Sequence, residues 1–178
     1  MKKKIKTYVL TLSLTFPATH PRRKEPTYFK EQVLNGISRN WGHRDMYKHH
    51  KHKIHTIRAN YDLWKKRIEE VQQGKAILSL RYWTGKPYAS KQEVIEDINS
   101  IDSVGIQLLT FGKSYNPKTD KWDGEYDLAL PTVDDACYVA PETLAENDGL
   151  DIDDWKNWFK NYDLSKPLAV IHFTCFRY

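Results

Sequence analysis

Residues 53–58 read KIHTIR, and the segments on either side of them decide the fold. The run 54–58 reads as a short strand or bend. Upstream, Thr27 is placed to cap a helix over 28–35 that ends at Gly36. Downstream, Asn60 caps a helix over 61–73 closed by Gly74, and Trp64, Ile68 and Val71 give that helix one apolar stripe. Further out, Tyr8, Leu10, Leu12, Leu14 and Phe16 alternate with Thr and Ser, which predicts a half-buried strand over 7–16. Strands are also predicted over 76–83, 104–111 and 168–176. Ser90 and Glu93 have the spacing of a capping box and predict a helix through Ile98. Pro141 suits the first turn of a helix that stops at Gly149, and Asp151 caps the next one, which carries Ile152, Trp155 and Phe159 on one side. Residues 37–52 and 112–131 show no period and read as loops, with Asp123-Gly124 as a hairpin turn.

Strands and helices therefore mix without a regular βαβ alternation. The expected fold class is α+β: a small, largely antiparallel β-barrel with flanking helices. With 178 residues and no internal repeat or low-complexity stretch, the chain reads as a single domain over 1–178. Apolar residues make up 40% and charged residues 29%, a balance that excludes a disordered tail. No apolar run is long enough to span a bilayer. The start, MKKKIKTYVLTLSLTF, has a basic stretch before apolar residues, but Thr and Ser interrupt the apolar run and no cleavage site follows, so it reads as a strand and not a leader. The two cysteines, Cys137 and Cys175, form no CxxC. They are expected to be free, buried structural thiols in a reducing, cytoplasmic compartment.

Charge is segregated along the chain. Residues 1–91 carry 21 Lys and Arg against 6 Asp and Glu, whereas residues 92–178 carry 7 against 17. Such a division suits either a surface that faces a polyanion or two halves that attract one another within the fold. Within the basic half, 39–67 interleaves Arg39, Arg44, Lys48, Lys51, Lys53, Arg58 and Lys65 with Trp41 and Tyr47. Cations displace counterions from phosphates, and flat rings stack on unpaired bases, so this composition points to nucleic acid. A solvated loop followed by a charged helix face is the alternative. His49, His52 and His55 recur every third residue, but the strongest zinc spacings are absent, so no metal is expected; protonation-sensitive binding of phosphate fits better.

The segment 53–58 also carries possible chemistry. A Thr hydroxyl becomes a nucleophile only when a base takes its proton. Lys53 lies three residues before Thr56, and crowding by Lys51, Arg58 and nearby histidines would depress its pKa toward that of a base. Residues three apart face opposite sides of an ideal strand, so the pair needs a bend or bulge. The acidic run from Glu142 to Asp154 reads mostly as helix caps and N-terminal charges, with one carboxylate free to face the basic site.

Taken together these pieces resemble the ASCH domain, a branch of the PUA-like superfamily. The resemblance rests on a helix over 29–36 ending in Gly, KIHTIR at 53–58, QGKAILSL at 73–80, LAENDGLDIDDW at 144–155 and AVIHFTCF at 169–176. It implies a PUA-like β-barrel with a cleft for RNA or a modified nucleoside. Some members are amidohydrolases acting on acylated cytidine with a Lys, a Thr and a Glu; others are described as ribonucleases. Carried over residue by residue, the resemblance assigns Lys53, Thr56 and the basic position Arg58. It assigns the acid to Asp148, just before Gly149, with Glu146 as the alternative. Asp148 is one methylene shorter than the family Glu. In compact members the Gly lies nearly next to the Lys, whereas 37–52 intervenes here; this stretch and 84–131 read as insertions that form a lid, add RNA-binding surface or fill the site.

Three functions follow as expectations. The first is an RNA- or nucleotide-binding module with a basic cleft, using Lys53, Arg58, Arg39, Arg44 and Lys51 for phosphate and Trp41, Tyr82 and Trp83 for stacking. The second is an amide hydrolase on an acylated or modified nucleoside, or a ribonuclease, with Lys53, Thr56 and Asp148 or Glu146. The third is a protein-interaction domain whose charged halves neutralise each other. No cofactor and no membrane partner are expected.

Overall fold

The computed structural model describes residues 5–178; the basic start at 1–4 lies outside the described residues. In chain order the elements are β1 (Lys6–Thr11), α1 (Phe29–Asn40), β2 (His55–Arg58), α2 (Tyr61–Gln72), β3 (Ala76–Trp83), β4 (Gln92–Ile98), β5 (Gly105–Lys113), β6 (Tyr126–Val133), β7 (Cys137–Tyr138), α3 (Pro141–Asn147), α4 (Ile152–Phe159) and β8 (Leu168–His172). The fold is α+β. One sheet has the order β1-β3-β4, with β1 parallel and β4 antiparallel to β3; the other has the order β2-β8-β5-β6-β7 and is antiparallel throughout. Strand pairing leaves these as two separate sheets among the described residues. The Arg58 side chain, at the end of β2, donates to the Thr11 carbonyl at the end of β1 across 2.7 Å, and so ties the sheets together at one corner. No described helix is long and apolar enough to cross a membrane.

Both sheets feed one core. Leu10, Leu12, Leu78 and Leu80 from the first meet Ile57, Leu109, Val170 and Ile171 from the second, with Val33, Ile68, Val71, Trp155 and Phe159 from the helices. Every residue of β8 is buried, because it runs between β2 and β5 with helices over it. On β1 the alternation holds: Leu10 and Leu12 are buried while Val9 is exposed. The strand stops at Thr11 instead of reaching 16, since Ser13 turns its hydroxyl onto the Thr15 carbonyl.

Four expectations are corrected. Residues 92–98 form a strand, not a helix. Ser90 Oγ closes the loop by accepting from Gly85 N at 3.0 Å and donating to Lys86 O at 2.9 Å, and the Glu93 carboxylate accepts from the Tyr82 hydroxyl, so neither side chain caps anything. Helix α1 runs through Gly36 to Asn40 and ends where Gly42 takes φ +73°. The stretch after it is not a free lid. Asn35 donates to the carbonyls of Tyr47 and His50 and accepts from Tyr47 N at 2.9 Å, which pins the loop onto α1. Residues 84–131 likewise hold β4 and β5, and β5 sits at the centre of the larger sheet. Finally, both thiols are free but exposed, because Cys137 lies on the edge strand β7 and Cys175 follows the early end of β8.

Candidate functional site

The site sits where the two sheets meet. A cavity of ≈370 Å³ is lined by the ends of β1 and β3, the start of α1, β2, Asp148 and α4. Residues Lys53, Thr56, Arg58, Trp83 and Asp148 all face it, so the structure brings together five of the residues singled out from sequence.

The approach to β2 explains how Lys53 and Thr56 share one cavity. Lys53 and Ile54 do not join the strand ladder; Lys53 N donates to Gln32 O and Ile54 N to Asn147 O, each at 3.0 Å. The chain is thus held by α1 and α3 before pairing with β8 begins at His55. This irregular step supplies the bend that the three-residue spacing requires. Thr56 and Arg58 then fall on the same face of the strand by the period of two.

Two glycines make the arrangement possible. A Cβ on Gly36 would stand 2.6 Å from Lys53 O, so only glycine lets α1 lie against this backbone. Gly149, at φ +78°, ends α3 in the left-handed region, and a Cβ there would fall 3.2 Å from Lys53 Cβ. Asp148 is thereby the last residue of the α3 turn, with both its carbonyl and its carboxylate turned to Lys53.

Lys53 is 1% exposed and Asp148 3%. Lys53 Nζ donates to Asp148 Oδ1 and, at 2.5 Å, to Asp148 O, and lies 4.1 Å from the centre of the Phe29 ring. The C-terminal end of α3 adds partial negative charge beside the ammonium. Burial pulls the Lys53 pKa below its ordinary value, against the attraction of Asp148. Burial raises the pKa of Asp148 against the opposing pull of Lys53 and Arg58. Both shifts bring the two groups closer in proton affinity, so a proton passes between Lys53 and Asp148 more readily than between the same groups in water. Arg58 has no carboxylate partner among the described residues; one terminal nitrogen is spent on Thr11 O, while its buried Nε has no protein partner.

The other expected site residues lie elsewhere. Glu146 is exposed on the far side of α3. Tyr82 points away from the cavity, as its position one residue before Trp83 on β3 demands, and packs under Lys30 and against Glu93. Arg39 is paired with Asp45 at 2.9 Å, Lys51 with Asp151, and Trp41 and Arg44 belong to the pinned loop outside the cavity. Among the described residues three Lys or Arg ion pairs, Arg22–Asp154, Lys51–Asp151 and Lys53–Asp148, join the basic half to the acidic half. Part of the charge segregation is therefore satisfied internally. Among the described residues no group of three or more His, Cys, Asp or Glu is placed to hold a metal ion. His52 pairs with Asp45, and His55 is buried away from His49.

Sequence reasoning missed Thr11, Gln92, Tyr88 and Trp158 as cavity lining. Tyr88 is 92% exposed at φ 63°, with its ring 5.3 Å from that of Trp83. Its signal was present only as a turn, TGKPY, following a strand that ends in Trp. Gln92 Nε2 donates to Thr11 Oγ1 at 3.1 Å, a contact visible only once β1 and β4 flank β3.

No family model matches the chain, and no characterised protein or solved structure is significantly similar to it.

Proposed function

We propose that this cavity binds a modified nucleoside, free or unstacked from RNA, and that Lys53, Thr56 and Asp148 hydrolyse an amide on it. The observation that carries the reading is the convergence of these three residues on one cavity, with the Lys53–Asp148 pair buried in its wall. A cavity of ≈370 Å³ suits a single nucleoside better than a tracked strand. Trp83 and Tyr88 offer flat faces at its mouth. The reading carries with it a PUA-like, ASCH-type barrel, supported by the corner at which Arg58 joins the sheets and by the glycines on either side of Lys53.

The reaction begins when the Lys53 ammonium passes a proton to the Asp148 carboxylate, a transfer that burial of the pair eases. The Lys53 amine takes the Thr56 Oγ proton as Oγ bonds to the amide carbon. The Arg58 Nε–H faces the negative charge that grows on the carbonyl oxygen. Asp148 gives its proton to the departing amine nitrogen as the C–N bond breaks. Water then splits the Thr56 ester, releasing the acyl group as a carboxylic acid and restoring Thr56.

A second reading, an RNA- or nucleotide-binding module without turnover, is favoured by the Arg58 guanidinium, which has no carboxylate partner among the described residues and keeps Nε free beside aromatic walls. The two are separated by incubating the protein with N-acylated nucleosides, single-stranded RNA and structured RNA, following acid release and binding in parallel. Turnover lost in Thr56→Ala with binding kept supports hydrolysis. Binding lost equally in Lys53→Ala and Thr56→Ala, with no turnover by wild type, supports the binding module.

A further inference from the structure

Behind the Asp148 carboxylate lies a polar cluster that the proposed reaction leaves unused. His55 is fully buried on the face of β2 opposite Thr56. Its Nε2 is 2.7 Å from Tyr178 Oη, and the Asn147 amide donates to that same oxygen at 2.9 Å. A phenol has a single proton to give. Among the described residues the Tyr178 hydroxyl has no acceptor in reach other than His55 Nε2, so its proton is directed there and Nε2 is the accepting nitrogen. The neutral ring consequently carries its own proton on Nδ1. That Nδ1 has no hydrogen-bond partner and stands 4.0 Å from Asp148 Oδ1.

A buried N–H without an acceptor is costly, and the nearest acceptor is the carboxylate that the reaction uses. The groups facing His55 are Lys53 before β2, Asp148 at the end of α3, His172 on β8 at 5.5 Å between ring centres, and Tyr178 beyond β8 at 5.7 Å. Arg177 acts on the far side, through His172. Burial, then His172 and Lys53, keep His55 neutral by pulling its pKa well below the ordinary histidine value.

We propose that His55 is a positioning residue for Asp148: its Nδ1–H, aimed by the Asn147–Tyr178 pair, closes on Oδ1 whenever Asp148 is ionised, and holds it there when Lys53 turns to Thr56. The carboxylate then keeps a donor at each stage of the cycle. This role rests on the hydrolytic reading of Lys53, Thr56 and Asp148, while the tautomer beneath it does not.

The test uses ligand-free, full-length protein. Nitrogen-15 spectra of the His55 ring should show the neutral Nδ1–H form at neutral pH; an Nε2–H form or a charged ring would overturn the proposal. His55→Asn keeps a donor near the place of Nδ1, whereas His55→Gln keeps only the partner of Tyr178. The carbon-13 titration of the Asp148 carboxyl should therefore move upward in His55→Gln, by about tenfold in proton affinity, and stay near wild type in His55→Asn. Equal midpoints in wild type and His55→Gln would also overturn it. Should His55→Gln fail to fold, the wild-type tautomer decides. Correct tautomer and titration with no turnover on any acylated nucleoside would reject the hydrolytic reading alone.

Discussion

Replacing Gly36 by Ala in α1 sets helix propensity against packing, and the two predict opposite signs. Gly36 lies inside a 12-residue helix, where Gly→Ala in an open setting gains about 1 kcal/mol. The added Cβ would meet Lys53 O at 2.6 Å, Lys53 C at 3.2 Å and Ile54 Cγ2 at 3.3 Å. The closest contacts are backbone, so a rotamer change cannot relieve them. Either α1 or the segment 53–54 must move, and the Lys53 N–Gln32 O bond at 3.0 Å is strained with them. Overpacking of this kind costs about 1–3 kcal/mol, and a weakened hydrogen bond adds about 1 kcal/mol. The net expectation is destabilisation by about 1–3 kcal/mol, which for a chain of this size lowers Tm by roughly 2–12 °C. Urea unfolding followed by tryptophan fluorescence measures it. A variant as stable as wild type, or more stable, would refute the claim that glycine is required for the approach of α1 to Lys53.

Other consequences are open to the same kind of measurement. Asp148→Asn strands a buried ammonium and should cost about 3–5 kcal/mol by chemical denaturation, most of it recovered in the Lys53→Met/Asp148→Leu double variant. His172, buried with no partner on either nitrogen, has its pKa pulled to about 3 by burial and by Arg177. Below pH ~6.5 the unfolded chain takes up a proton that the folded ring refuses, so stability should fall by up to about 1.4 kcal/mol per pH unit on acidification toward that value. His172→Gln should flatten this slope between pH 6 and about 4. Trp83→Ala should weaken nucleoside binding by about 1–3 kcal/mol, whereas Tyr82→Phe should leave it unchanged, since the two rings face opposite sides of β3.

How far the sequence is legible varies with the physics involved. Elements with a clear period, such as α2 with Ile68 and Val71 or β3 with its alternating Leu78 and Leu80, are readable because their partners are local. The segment 90–98 is not, because Ser90 and Glu93 have the correct spacing for a cap but are claimed by Lys86 and Tyr82. Gly36 reads as a helix stop, although its purpose is a tertiary contact 17 positions away along the chain. At the cavity, Lys53 and Thr56 can be singled out from the residues of 53–58, whereas Asp148 is named only through the resemblance at 144–155. What separates Asp148 from Glu146 is burial, which the sequence around the end of α3 does not state. In the basic stretch around 39–51, the partners of Arg39 and Lys51, Asp45 and Asp151, become visible only in three dimensions. Tyr88 and Gln92 went unnoticed because a solvent-facing turn residue and an edge-strand amide carry no local mark of a cavity.

Intact-protein mass spectrometry after a rapid acid quench of wild type with an N-acylated cytidine would report on Thr56 itself. One acyl group, mapped to Thr56 and absent from Thr56→Ala, is the expected result, with Lys53→Ala slowing its formation by two to four powers of ten, about the size of a general-base contribution. Turnover that persists undiminished in Thr56→Ala, or no adduct and no acid release from any acylated nucleoside, would contradict a nucleophilic threonine at this site.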